Sequence, residues 1–352
     1  VSELDQLRIT IPEDRDLLHL WLSETQLAGG PPWYHPGWFS EVRRWVDDQL
    51  RRLSLSATGP LEQLRSWERS SISRIPIGDG WIYFKTVPPV FAHEFPLLAV
   101  LADWLPSSAS ALLAYDQQRH WSLTSDFDDV TLDHLTDLSR WEDALTNYAA
   151  LQCACVARRE QLLALGCPDR PFAVLHEGLT TLLNDADAIL LGETGGLTEA
   201  EVILLTALTT KIATACSDLS AFGIPATLEH GDLWAGNIIA REDGDYAYFD
   251  WSDCTVTHPF FSLPLFLDTA VAAFPNDPHV RVRLCDAYLR PWSSIVSSND
   301  VRIAFELAQR LAPLHHALTY HQRILPAMHA RWEMARMIPY YLRLLLSSWD
   351  NN

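Results

Sequence analysis

The stretch richest in chemistry runs from residue 226 to residue 251 and reads ATLEHGDLWAGNIIAREDGDYAYFDW. It carries His230, Asp232 and Asn237 at close offsets, and Asp250 thirteen positions beyond Asn237. Asp243-Gly244, set between two apolar runs, marks a tight hairpin, because glycine accepts the positive φ that such a turn demands. A hairpin lays the two runs side by side. Asn237 precedes its first strand and Asp250 ends its second, so both reach the same edge, and Asp232 lies on the loop that enters it. Carboxylate and amide oxygens gathered in this way suit a hard divalent cation, and a carboxylate beside them can accept a proton.

Other elements must position this group. Residues 1–58 read as helical with irregular joints; after the turn Pro36-Gly37, the residues Trp38, Val42, Trp45, Val46 and Leu50 share one helical face. Residues 64–67, 72–75 and 81–85 read as short strands, the last two joined through Gly78-Asp79-Gly80. A helix is predicted over 94–104, stopped by Pro106, and a further strand pair near 111–115 and 121–124. From about residue 131 the pattern is mainly helical. A periodic run covers 141–165, Thr198 and Glu201 form a capping box that opens a helix to about residue 221, Gly223 stops it, and helical runs follow at 280–288 and 301–346. A small β-rich segment and a larger helical one therefore make two lobes.

HGDLWAGN with the later FDW resembles the H-x-D-x-x-x-x-N loop and downstream metal-binding Asp of the aminoglycoside phosphotransferase and choline kinase-like family, over roughly residues 60–340. The resemblance implies an α+β, two-lobed protein-kinase-like fold with a small β-rich N-lobe and a larger, mainly helical C-lobe. Residues 1–58 read as an N-terminal helical extension with no counterpart in the family; the resemblance implies a nucleotide-binding N-lobe (59–125) and a helical C-lobe (126–352), the last holding the catalytic loop 230–237 and Asp250. Asp232 would accept the proton of a substrate hydroxyl, His230 would prop the catalytic loop, and Asn237 and Asp250 would hold Mg2+. Lys85 would contact the α- and β-phosphates of ATP or GTP, with Glu94 as its ion-pair partner. Backbone N–H groups of Ser70 and Ser71 would approach the phosphates.

The implied activity is transfer of the γ-phosphate to a hydroxyl of a small-molecule acceptor. A rival reading is a pseudokinase, a nucleotide-binding or interaction module without turnover; a metal hydrolase using His230 and Asp232 is a third. The chain departs from the family pattern twice. The loop Glu68-Arg69-Ser70-Ser71-Ile72 has no glycine, and Thr257-His258-Pro259 with Phe261-Ser262-Leu263 replaces a stretch that often carries a helix-anchoring acid.

Composition bounds these readings. With 352 residues, 48% hydrophobic and 20% charged, the chain is an ordinary globular one long enough for two lobes. Lys and Arg number 26 against 45 Asp and Glu, a formal charge of -19. That balance excludes a general nucleic-acid or anionic-membrane binder and favours a cationic acceptor. Cys153, Cys155, Cys167, Cys216, Cys254 and Cys285 form no CxxC pair and read as reduced thiols of a cytoplasmic protein. Apolar stretches such as 97–101 fall short of the roughly 18 residues that span a bilayer, and the acidic opening Val1-Ser2-Glu3-Leu4-Asp5 shows no secretory pattern. Asp126, Asp128 and Asp129 read as a cation site or a solvated loop. His315, His316 and His321 lack zinc-site spacing and read as core or helix-surface residues. Trp33, Tyr34, Trp38, Trp45 and Trp332 read as packing residues or as walls of an acceptor pocket.

Overall fold

Trp38, Val42, Val46 and Leu50 recur at helical spacing and are the buried face of helix α1 (Trp38–Arg52). In the computed structural model, which describes residues 30–78, 80–108, 112–127 and 129–349 without the side chains of Trp332 and Glu333, this face closes one side of a β-sheet. The sheet is antiparallel, in the order β1-β2-β3-β5-β4. Its strands are β1 (Glu62–Trp67), β2 (Ser70–Ile77), β3 (Gly80–Thr86), β4 (Leu112–Asp116) and β5 (Trp121–Ser125), with α2 (Glu94–Trp104) between β3 and β4. Asp79, Ala111 and Asp128 lie outside the described residues, as do residues 1–29 of the expected extension.

Side chains alternate across a strand, and here the alternation separates two tasks. Ile75, Ile82, Phe84 and Leu123 join α1 in the small lobe's core, where Trp45 meets Trp121 edge-on at 5.6 Å. Ile72, Lys85 and Ser122 stand in register on the opposite face, as do Tyr83 and Thr124, and that face is one wall of a cleft.

The larger lobe contains α3 (Leu138–Val156), α4 (Arg159–Ala164), α5 (Leu175–Leu183), α6 (Glu199–Ala221), α7 (Leu263–Ala273), α8 (Val280–Trp292), α9 (Ser298–Thr319) and α10 (Met337–Trp349). Its core includes the fully buried rings of Trp141, Tyr148, Tyr248, Phe260, Phe266, Tyr288 and Trp292. The capping box forms as expected: Thr198 N donates to Glu201 Oε2 at 2.8 Å and Glu201 N to Thr198 Oγ1 at 3.2 Å. By length and composition α6 could cross a membrane. Its buried residues, among them Leu205, Ile212 and Leu219, belong to the large lobe's core.

Two expected helices are each broken. The run 141–165 divides at Arg158, whose guanidinium lies 4.6 Å over the Trp104 ring. The run 301–346 divides after Thr319 into a π-helical turn (Tyr320–Ile324) and a 3-10 turn (Leu325–Ala327), where Pro326 cannot continue the ladder. All six cysteines are free thiols; Cys153 and Cys285 are half-buried and the rest buried.

Two small sheets set the site. One orders β6 (Val130–Thr131), β8 (Ile238–Ala240) and β9 (Tyr246–Tyr248); the other pairs β7 (Thr227–Glu229) with β10 (Thr255–Thr257). The chain crosses from β7 to β8 and returns from β9 to β10, so the loops 230–237 and 249–254 span the same gap.

Candidate active site

From the cleft face of β3, Lys85 Nζ donates to Glu94 Oε1 and to Asp250 Oδ1, each at 2.7 Å. The Glu94 side chain is only 2% exposed, whereas Lys85 keeps 19% and Asp250 41%. Glu94 is thus a sealed anchor, and the other two remain open to a ligand. Burial pushes the Glu94 carboxyl up to about 7 against the pull of Lys85. Burial would lower the Lys85 ammonium, but Asp250 and Glu94 outweigh it and raise it above its ordinary value. Burial also opposes the Asp250 charge, yet Lys85 and Arg69 hold that carboxyl below the usual carboxylate range.

The two loops are locked together by their backbones. Gly231 has φ 80°, and a Cβ there would lie 2.3 Å from the Asp253 carbonyl oxygen, so only glycine fits. His230 is buried, and burial lowers its pKa, which leaves a neutral ring. Its Nε2 donates to the Phe249 carbonyl at 3.0 Å, and its Nδ1 accepts from Asp232 N at 3.4 Å. Asn237 Nδ2 donates to the Asp232 carbonyl at 2.9 Å and to Asp232 Oδ2 at 3.3 Å, while Phe249 N donates to the Asn237 carbonyl at 3.1 Å. Asp250 is left-handed at φ 60°, ψ 57°, a strain of order 1–3 kcal/mol that this lattice of bonds sustains. The Asp232 carboxyl is pushed up to about 7, first by burial and then by Asp253 and Asp250.

Behind the loops sits Glu229, fully buried. Its Oε1 accepts from Gly231 N at 2.9 Å and from Ser262 Oγ at 2.7 Å, and its Oε2 from Thr255 Oγ1 at 3.1 Å. Burial works against the charge, but His315, 3.6 Å from Oε2, and the Ser262 hydroxyl keep the carboxyl at about 2. Ser262 lies in the stretch that lacks the family's acid, and it donates to the carboxylate at the end of β7.

Two cavities meet at Lys85 and Asp250. One, of about 380 Å³, has apolar walls from Ile72, Phe95, Leu98, Phe127, Ile239 and Phe249. The other, of about 350 Å³, is polar and is lined by Arg69, Ser70, Asp232, Asn237 and Ser252 as well. Asn237 commits its Nδ2 to Asp232, which leaves its Oδ1 as a donor to a cation. With Asp250 this makes a two-oxygen protein set of the kind Mg2+ accepts, since that ion fills its remaining positions with water and phosphate.

Lys85, Glu94, Asp232, Asn237 and Asp250 are thus brought together, with His230 behind them. Ser70 lines the polar chamber and its Oγ accepts from Trp67 Nε1 at 3.0 Å. Ser71, one residue on, falls on the other face of β2, buried and opposite Thr86. Asp126 and Asp129 line the apolar cavity, with Asp126 Oδ1 accepting from Phe127 N at 2.8 Å. His316 Nε2 lies 3.2 Å from the Phe261 carbonyl and His321 Nε2 3.0 Å from Asp185 Oδ2; among the described residues no three metal-ligating side chains gather. Trp33 and Trp38 are buried in the small lobe's core, with Tyr34 and Trp45 packed on it, and the Trp332 side chain is outside the described residues.

Sequence reasoning missed Arg69, Asp253 and Glu229. Arg69 Nη2 donates to Asp253 Oδ1 across 184 residues of chain, a pairing with no local signal. Glu229 stands beside the motif but has an ordinary strand position in the sequence.

No family model and no curated protein matches the chain. Solved structures do. A macrolide 2'-phosphotransferase type I aligns at 15% identity with TM-score 0.55, covering 88% of this chain and 97% of that one. Choline kinase LicA from Streptococcus pneumoniae aligns at 12% and 0.55, covering 88% and 100%. A Plasmodium vivax ethanolamine kinase aligns at 13% and 0.54, covering 84% and 82%. The chain therefore has the two-lobed, protein-kinase-like α+β fold of the aminoglycoside phosphotransferase and choline kinase-like enzymes.

Proposed function

We propose that this protein is a small-molecule kinase that transfers the γ-phosphate of ATP or GTP to an alcohol. The observation that carries the reading is the Lys85–Asp250 contact across the lobes at 2.7 Å, at the junction of an apolar cavity and a polar chamber that also holds Asp232 and Asn237. The apolar cavity takes the base, and the polar chamber takes the triphosphate. Lys85, fixed by Glu94, contacts the α- and β-phosphates. Asn237 and Asp250 hold Mg2+, which offsets phosphate charge when bound. Asp232 orients the acceptor hydroxyl and receives its proton as the acceptor oxygen attacks the γ-phosphorus. His230 transfers no proton in this scheme; it joins the two loops and so fixes where Asp232 and Asp250 stand.

Phosphoryl transfer asks mostly for placement and charge stabilisation, and the buried hydrogen bonds under both loops support that use. Trp234 and Tyr320, which line the polar chamber, together with the acidic chain as a whole, suit a cationic acceptor. The macrolide and choline kinases of like fold take small-molecule acceptors by name, which agrees with this class. Free thiols fit a reducing, cytoplasmic setting. The module without turnover has less support, because Lys85, Glu94, Asp232 and Asp250 line two adjoining cavities. The test is γ-phosphate transfer from labelled ATP and GTP into a pooled set of small alcohols, compared with Asp232→Asn. Transfer that requires Asp232 supports the kinase; nucleotide binding without any transfer would favour the module.

A further inference from the structure

The turn between β1 and β2 covers the polar chamber and contains no glycine. Trp67 and Ser70 pair in the ladder, so residues 68 and 69 form its tip. Both are tied to the large lobe. Glu68 is buried and its Oε2 accepts from His329 N at 3.1 Å. Arg69 donates through Nη2 to Asp253 Oδ1, with side-chain exposures of 12% and 10%, and its guanidinium lies 5.0 Å over the Phe91 ring. Arg69 lines the chamber beside Asp232, Asn237 and Asp250, and it lines the small recess behind Asp232 as well.

The charges explain why such a group matters. Lys85 is already balanced by two carboxylates, Glu94 and Asp250. Asp232 adds a further carboxyl to the place where a triphosphate must enter. A guanidinium has five N–H donors in a planar fork, so its bonds to Asp253 and to Tyr320 leave others for a ligand in the chamber. A flexible turn would offer backbone amides; this one delivers a held cation.

We propose that Arg69 is a catalytic residue that donates to the γ-phosphoryl oxygens as charge develops on them, and that Asp253 is the residue that positions it. The inference rests on the kinase reading above. In the step it serves, the acceptor oxygen–phosphorus bond forms and the bond from the γ-phosphorus to the bridging oxygen breaks. The diphosphate leaves with that electron pair, and the hydroxyl proton passes to Asp232. Arg69 neither gains nor loses a proton.

The experiment measures nucleotide affinity and single-turnover γ-phosphate transfer, to water or to an alcohol, in the full chain. Arg69→Ala is expected to slow transfer by roughly 10²–10³-fold while nucleotide Kd moves less than about tenfold. Added guanidinium ion should restore part of the rate in Arg69→Ala and none in Asp232→Ala, a response that a purely structural role would not give. Arg69→Ala strands Asp253 without its partner, so Arg69→Met with Asp253→Asn serves as the folded control, equally slow in transfer. Arg69→Lys should keep the ion pair and lose at least tenfold in rate. Transfer within threefold of wild type in Arg69→Ala or in the folded double variant overturns this inference and leaves the kinase reading standing. Absence of any nucleotide binding and transfer in the wild type overturns both.

Discussion

The two walls of the cleft achieve position by different means. The small lobe presents Lys85 through the period of a strand: Ile82 and Phe84 are clamped in the core, so their neighbours Tyr83 and Lys85 must face the cleft. The large lobe presents Asp232, Asn237 and Asp250 from loops, and loops acquire precision only through bonds to buried groups. Glu229, His230, Tyr148 and Ser262 supply them, with His230 N donating to both Tyr148 Oη at 3.1 Å and Ser262 Oγ at 3.2 Å. A wall set by strand period tolerates change on its outward face. A wall set by buried polar bonds does not, because each lost partner leaves another polar group unsatisfied.

The contrast can be broken or sharpened by substitution. The largest effect is expected at the group proposed to meet the acceptor: Asp232→Ala should fold normally and lose about 10³-fold in phosphate-transfer rate, measured in steady state against an unchanged circular dichroism spectrum. Near-normal transfer would remove the large-lobe wall from the chemistry. Next, Glu229→Gln keeps the shape but weakens the acceptor for Gly231 N and Ser262; a loss of about 2 kcal/mol in urea unfolding, with slower transfer, is expected. An unchanged midpoint would show that the loops hold themselves.

A control remote from both walls is smaller. The Glu201 carboxyl is drawn down to about 2, chiefly by Arg343, whose Nε lies 2.6 Å from Oε1, and further by the Thr198 cap. A depressed carboxyl stabilises the fold above its ordinary value of 4.5, and that contribution is lost as pH falls through about 2. Glu201→Gln should therefore cost about 1 kcal/mol at pH 7 and nothing near pH 2, read as converging thermal midpoints. The smallest effect is predicted for Ser71→Ala, which sits on the face away from the cleft. Its transfer rate should stay within about twofold of wild type, and a tenfold loss would contradict the strand-period account of the small-lobe wall.

Much of this was legible locally. The turn at Asp243-Gly244 placed Asn237 and Asp250 at one edge, the strand 81–85 pointed to Lys85, and the helix predicted over 94–104 is the observed α2. What escaped was non-local or compensated. The break at Arg158 follows an unbroken helical pattern, so nothing in the 141–165 run announces it. The π-helical turn at Tyr320–Ile324 looks like any helix in sequence, although it brings Tyr320 to the polar chamber. The role of Glu229 under the loops is visible only when Ser262 Oγ is seen 2.7 Å from its carboxylate. Ser70 and Ser71 also differ in a way the loop pattern does not show: strand alternation turns the Ser70 side chain to the polar chamber and buries that of Ser71.

The central claim is that Lys85, Asn237 and Asp250 meet one nucleotide and one divalent cation. Calorimetric titration of ATP and GTP into wild type and Asp250→Ala, with and without Mg2+, tests it most directly. The account predicts Mg2+-dependent binding of at least one nucleotide to the wild type and its loss in the variant. Equal affinity in both proteins, or binding indifferent to Mg2+, would contradict it.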